Sequence, residues 1–127
     1  MTLEKLDHLV LPVSDIDGIA MFYTTYLGME KRVFGESRVA LHFGDQKMNL
    51  HPAGWDYEPK ARVSIAGTAD LCFIVSEPVE LLRAQLVQQG VEIIEGPVLR
   101  TGASGGLRSI YIRDPDGNLI ELSNSVE

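Results

Sequence analysis

Two ionisable residues, His8 and Asp70, occupy the same place in two copies of one pattern. At an offset of 62 residues His8 falls on Asp70, Leu9 on Leu71, Leu11 on Phe73, Val13 on Val75 and Ser14 on Ser76. The same offset sets Gly28 on Gly90 and Glu30 on Glu92. Glu121 adds a carboxylate and His51 an imidazole. A neutral imidazole with a carboxylate suits a borderline divalent cation. Two imidazoles and a carboxylate, as in His8, His51 and Glu121, are the donor set of non-haem iron oxygenases. The bland reading of His8 and Glu121 is a buried hydrogen-bonded pair, and that of Asp70 a solvated strand start.

For these side chains to act together, strands must hold them on one face. Lys5 to Val13 alternates and is β-rich, so it reads as a strand. Ser14 is the expected cap of a helix carrying Ile19, Phe22, Tyr23, Tyr26 and Leu27, ended by Gly28. Arg32 to Phe34 is a short strand. Arg38 to Phe43 and Lys47 to His51 form a hairpin around Gly44-Asp45. After a crossover rich in Gly and Pro, Ala69 to Val75 opens a second copy. Ser76 is the expected cap of its helix, with Pro78 in the first turn, and Gly90 closes it. Val91 to Ile94 reads as a strand and Gly96 to Gly106 as a flexible loop. Leu107 to Arg113 and Asn118 to Ser123 make a second hairpin around Asp114-Pro115-Asp116-Gly117. The order β-α-β-β-β thus occurs twice in one domain of 127 residues. Module one covers 4–52, the crossover 53–67 and module two 68–125.

Strand parity sorts the side chains. Leu9, Leu11, Val13, Val39, Leu41, Phe43, Met48 and Leu50 take one side of module one. His8, Val10, Pro12, Arg38, Ala40, His42, Lys47, Asn49 and His51 take the other. In module two Ile110, Ile112, Ile120 and Leu122 oppose Ser109, Tyr111, Arg113, Leu119, Glu121 and Ser123; Leu71, Phe73 and Val75 oppose Asp70, Cys72 and Ile74. The apolar sides belong against the two helices. The polar sides face solvent or a shared cavity, because burying them against that core carries a large desolvation cost.

A net charge of −7 with no basic patch argues against nucleic acid and anionic membrane. No run is long and apolar enough for a spanning helix, and the start at Met1 lacks a signal-peptide pattern. One cysteine excludes an internal disulfide and fits a reducing, cytoplasmic setting.

Asp7-His8, the run from Phe22-Tyr23 to Leu27-Gly28-Met29, and Asp114-Pro115-Asp116-Gly117-Asn118-Leu119-Ile120-Glu121-Leu122 resemble the vicinal oxygen chelate superfamily. That group holds glyoxalase I, extradiol dioxygenases, fosfomycin-resistance thiol transferases and bleomycin-resistance proteins. Lys47-Met48-Asn49-Leu50-His51 and Arg100-Thr101-Gly102-Ala103 are similar to glyoxalase-domain proteins of unassigned activity, some described as dioxygenase-related or virulence-associated. The resemblance implies an α+β fold: two tandem βαβββ modules forming a cupped, mixed eight-strand sheet with the helices outside. It also implies a divalent metal (Fe, Mn, Ni or Zn), a small oxygen-bearing substrate and a homodimer. The family's metal positions fall on His8, Asn49, Asp70 and Glu121. Asn stands at 49 where glyoxalase I has Glu, and Asp at 70 where the metalloenzymes usually have His. The expected metal ligands are therefore His8 and Glu121 with either His51 or Asp70. Glu121 doubles as a catalytic base, and Asn49, Ser109, Tyr111 and Arg113 contact substrate.

The expected activity is lactoylglutathione-lyase-like or extradiol-dioxygenase-like. The alternative is a metal-free small-molecule binder of the bleomycin-resistance type. Lys47, Arg100 and Arg108 read as solvated charges, although Lys47 and Arg113 have the parity to hold an anion. His42 reads as a pocket or surface residue and Cys72 as structural. Trp55 and Tyr57 cover the pocket or pack against a second subunit.

Overall fold

The structure is a computed structural model that describes residues 1–126. Two compact units divide the chain, Met1–Thr68 and a second that begins at Ala69. Each builds one four-stranded mixed sheet and one helix, so the eight strands form two hydrogen-bonded sheets of four.

The first unit runs β1 (His8–Val13), α1 (Ile16–Leu27), β2 (Glu30–Phe34), β3 (Arg38–Phe43) and β4 (Gln46–Pro52). The sheet order is β1-β4-β3-β2, with β1 parallel to β4 and the other pairs antiparallel. The hairpin pairs Phe43 with Gln46, His42 with Lys47, Leu41 with Met48 and Ala40 with Asn49, the register that a two-residue Gly44-Asp45 turn dictates. Leu11, Val13, Leu41, Met48 and Leu50 are almost wholly buried, as are Ile19 and Tyr23 of α1, which packs on β3 and β4. Burying each such side chain contributes about 1.5–3 kcal/mol. Helix α1 starts one residue later than a Ser14 cap requires: Asp15 holds the N-cap position in extended backbone. Gly28 ends it in the left-handed region, its N–H returning to the Tyr23 carbonyl.

The second unit runs β5 (Asp70–Ile74), α2 (Val79–Gln88), β6 (Glu95–Gly102), β7 (Gly105–Arg113) and β8 (Leu119–Val126). Its order, β5-β8-β7-β6, repeats that of the first unit, with β5 parallel to β8. Ile110, Ile112, Ile120 and Leu122 are buried on the side that α2 covers. Asp114 and Asn118 lock the turn before β8. The Asp114 carboxylate accepts from the Asp116 and Asn118 N–H groups at 2.9 and 3.0 Å, and from Asn118 Nδ2 at 2.7 Å.

Three expectations are corrected in this unit. Val91–Ile94 is not a strand; β6 occupies Glu95–Gly102, inside the stretch that reads as a flexible loop. The glycines there are positional. Gly96 sits at φ +106°, where a Cβ would lie 2.3 Å from the Ser109 carbonyl oxygen, and Gly102 faces Gly105 across a two-residue turn. Pro78, not Ser76, holds the N-cap position of α2. The missing cap is supplied from β8: Asn124 Oδ1 accepts from the Val79 N–H at 2.9 Å.

Candidate functional site

The same register lattice places polar residues in both units. In the first, His8 opens β1 opposite Lys47, and Val10, two residues on, lies opposite Asn49. In the second, Asp70 opens β5 opposite Leu119, and Cys72, two residues on, lies opposite Glu121. His8 thus corresponds to Asp70, and Asn49 to Glu121. Each pair sits at the start of an edge strand and on the strand beside it.

His8 is exposed, and its Nδ1 lies 2.7 Å from Asp7 Oδ2. The contact holds the Asp7 carboxyl below its ordinary range. It occupies one ring nitrogen with a carboxylate and leaves Nε2 for another partner, the arrangement that orients metal-binding histidines. Asn49 is 5% exposed, and its Oδ1 is buried without a hydrogen-bond partner. An unpaired buried acceptor costs about 1–3 kcal/mol.

His51 has other company. Its Nε2 lies 3.0 Å from Arg38 Nη2, and its ring meets that of Tyr57 edge-on, centroids 5.0 Å apart. Burial first, then the Arg38 charge, push the imidazole below its ordinary pKa, so it is neutral near pH 7 and Nε2 accepts from Arg38. The Arg38 guanidinium carbon lies 4.8 Å from the Phe34 ring centroid and 5.0 Å from that of Tyr57. These residues border a groove of about 490 Å³ that Trp55 also lines. His42 is likewise held below its usual value, by burial and then by Arg32 and Lys47. Lys47 stands 4.1 Å from the Phe34 ring centroid.

In the second unit Glu121 is held by hydroxyls. Ser109 Oγ donates to Glu121 Oε2 at 2.7 Å, Ser123 Oγ lies 3.3 Å from the same oxygen, and the two hydroxyls are 2.6 Å apart. Both serines are fully buried. Cys72 Sγ lies 3.4 Å from Ser123 Oγ; burial pushes the thiol up, and Glu121 and Asp70 add to the rise. Tyr111, opposite Glu121 on β7, accepts from Arg100 Nε at 2.9 Å. Burial raises the phenol and Arg100 pulls it partly back, so Tyr111 keeps its proton at neutral pH. Glu121, Cys72 and Arg100 line a groove of about 430 Å³. Asp70 is exposed at the head of β5. Arg113 is exposed and donates from Nη1 to the Gly117 carbonyl at 3.1 Å, which ties it to the turn. Arg108 pairs with Glu80.

Among the described residues, no three His, Cys, Asp or Glu side chains are gathered around one point. In the first unit His8 has a ring nitrogen left over and Asn49 a buried oxygen without a donor, and both atom types are ones a divalent ion accepts. In the second unit the Glu121 carboxylate, held through Oε2 by both serines, is likewise a donor type that such an ion takes.

Two participants are weakly marked in the sequence. Arg38 has the parity of His51, but nothing in the sequence marks its burial between two rings. Ser123 is detectable only once the register puts it opposite Ser109.

The profile of the glyoxalase/bleomycin resistance protein/dioxygenase superfamily matches residues 5–122. The virulence protein STM3117 of Salmonella typhimurium is 52% identical over 126 residues, 99% of this chain and 88% of that protein. Its crystal structure matches with a TM-score of 0.96 over 99% of this chain and 100% of that one. The glyoxalase domain-containing protein RDO1 of Mycosarcoma maydis is 48% identical over 98% of this chain and 70% of its own length. Lactoylglutathione lyase from Agrobacterium tumefaciens, 20% identical, shares the fold with a TM-score of 0.75 over 98% and 96% of the two chains. Among the described residues no helix is long and apolar enough to cross a membrane.

Proposed function

The chain belongs to the glyoxalase/bleomycin resistance protein/dioxygenase superfamily, and on that premise we propose that it is a metal-dependent enzyme acting on a small oxygen-bearing substrate. The observation that carries the proposal is the unpaired, buried Oδ1 of Asn49 at one of the family's four metal positions. A polar atom kept dry at a cost is best accounted for by a partner that arrives with the ligand. The Asp7-His8 contact supports the same reading.

The proposed ligands are His8, Asp70 and Glu121, with Asn49 contributing its oxygen or meeting the substrate. His51 is the weaker alternative to Asp70, because its Nε2 is taken up by Arg38 and a guanidinium 3.0 Å away repels a cation. The proposal requires ligands of both modules to meet, within one chain or across two copies. β1 and β5 are edge strands of their sheets, and an edge strand is a template for association, which supports paired copies. We place the homodimer in the cytoplasm.

A divalent ion bound there supplies Lewis-acid stabilisation of charge that develops on a substrate oxygen. The chain's own groups do the rest. Ser109 and Ser123 hold Oε2 of Glu121 and orient the carboxylate that would take a proton from the substrate. Tyr111 keeps its proton: Arg100 donates to its oxygen, and its hydroxyl hydrogen has the Glu121 carboxylate as an acceptor across the strand pair. Asp7 fixes the His8 ring.

A second reading, a metal-free binder, is favoured by one observation: the groove beside Arg38 carries Trp55 and Tyr57. Metal analysis of protein purified without added ions, followed by assays of the Mn²⁺-, Fe²⁺-, Ni²⁺- and Zn²⁺-loaded forms on methylglyoxal–thiol adducts and catechols, separates the two. Stoichiometric metal with turnover of either substrate class supports the enzyme. Protein that neither retains nor is stabilised by any of these ions is the binder.

A further inference from the structure

Arg38 is a half-buried cation without a counter-charge among the described residues. It opens β3 at the edge of the 490 Å³ groove of the first unit. Its Nε is shielded from solvent and has no acceptor. None of the ion pairs among the described residues includes it. Glu36, the one acid on the groove wall, is exposed and forms no ion pair with it. Of its five N–H donors, the one hydrogen bond it makes among the described residues goes to a neutral acceptor, His51 Nε2.

The surroundings determine what such a group can still bind. The Phe34 and Tyr57 rings, 4.8 and 5.0 Å from the guanidinium carbon, offset part of the desolvation and restrain the guanidinium. They do so through π contacts, which leaves N–H donors for an oxygen ligand. A planar N–H edge matches the two oxygens of a carboxylate better than it matches a point charge. The groove is also lined by Trp55, 60% exposed, and Tyr57, 37% exposed, with the apolar Val39 and Leu50. Exposed aromatics next to an unpaired cation make a surface with one charged end and one flat apolar end.

We propose that this groove binds a small organic carboxylate with a flat, unsaturated or aromatic body, its carboxylate on the N–H edge of Arg38 and its body against Trp55 and Tyr57. His51 braces the guanidinium from the side. The site lies within the first unit; it deepens the binder reading of this groove and shares with the metal reading only His51, the weaker alternative ligand.

Trp55 is the only tryptophan of the chain, so its fluorescence reports on this groove. The test is a titration of the full-length, chelator-treated protein with benzoate, benzamide and acetate. Benzoate is expected to give a saturable change in Trp55 emission, with benzamide and acetate each at least about tenfold weaker, one lacking the charge and the other the ring. Arg38→Met should weaken benzoate by at least the same factor while circular dichroism and cooperative melting persist. Arg38→Lys, which keeps the charge and removes the planar fork, should fall between; it carries the test if Arg38→Met does not fold. Equal affinity for benzamide and benzoate, an Arg38 variant that binds like the parent, or no saturable change up to tens of millimolar benzoate would each overturn the proposal.

Discussion

Ser109 on β7 donates a 2.7 Å hydrogen bond to Oε2 of Glu121 on β8, and the donor is completely buried. The two residues are diagonal across the strand pair, since Ser109 faces Ser123 and Glu121 faces Tyr111. A hydrogen bond to a charged group contributes about 1.5–3 kcal/mol. It also fixes the orientation of the carboxylate. Ser109→Ala should therefore cost about 1–3 kcal/mol of stability in urea unfolding and lower activity without changing the fold. Ser123 loses a 2.6 Å partner in the same variant, so the double change to alanine should cost less than the sum of the two single changes. Strict additivity would show that the hydroxyls act independently and that the cluster does not hold Glu121 as a unit.

Asn49 gives the sharpest separation of stability from function. Its buried Oδ1 has no partner, so Asn49→Leu removes an unsatisfied group at nearly constant volume. The metal-free variant should be as stable as the parent or gain up to about 1 kcal/mol. Divalent-ion affinity or substrate binding should drop at least about tenfold. Chemical denaturation in chelator and calorimetric titration of Mn²⁺ measure the two halves. A large loss of stability with unchanged ligand binding would mean that the oxygen serves the fold.

Both module patterns and the hairpin register of the first unit are legible in the sequence because two-residue turns and strict alternation leave little freedom. The apolar faces of Leu41, Met48, Ile110 and Ile120 follow directly. What escaped depends on contacts between distant segments. Strand β6 reads as a loop because Gly96 and Gly102 carry no strand propensity; their places are dictated by the backbone of Ser109 and by Leu107, which a Cβ would strike. The start of α2 reads as a Ser76 cap because local pattern cannot show that Asn124, far along the chain, supplies the acceptor. The candidate site divides in the same way. His8, Asp70 and Glu121 are marked by residue type and strand position, whereas Arg38 is distinguished only by its burial between Phe34 and Tyr57.

The Asp7-His8 contact leads to a prediction about orientation. Both side chains are exposed, so the pair adds little to folding. If Asp7 aims the imidazole at a cation, Asp7→Asn should reduce metal affinity about 10- to 100-fold while leaving the melting temperature of the metal-free protein nearly unchanged. Asp7→Glu, which keeps the charge on a longer stem, should lie between. Competition with a fluorescent chelator reads the affinities. A metal-free melting temperature that falls as far as the affinity does would identify Asp7 as structural.

Cys72 tests the electrostatics of the second unit. Its residue is exposed, yet burial of the thiol and the nearby Glu121 and Asp70 charges raise its pKa above the ordinary thiol value. The reactive species is the thiolate, so accessibility without thiolate should give slow alkylation. In chelator at pH 8, iodoacetamide should label Cys72 several-fold more slowly than it labels a short model peptide, and the half-reaction pH should lie above the peptide's. The sign follows from the charges: removing a carboxylate favours the thiolate. Glu121→Gln should therefore shift the labelling profile toward lower pH, and Asp70→Asn should shift it in the same direction by less. An unchanged profile in Glu121→Gln would show that the Glu121 charge does not act on the thiol.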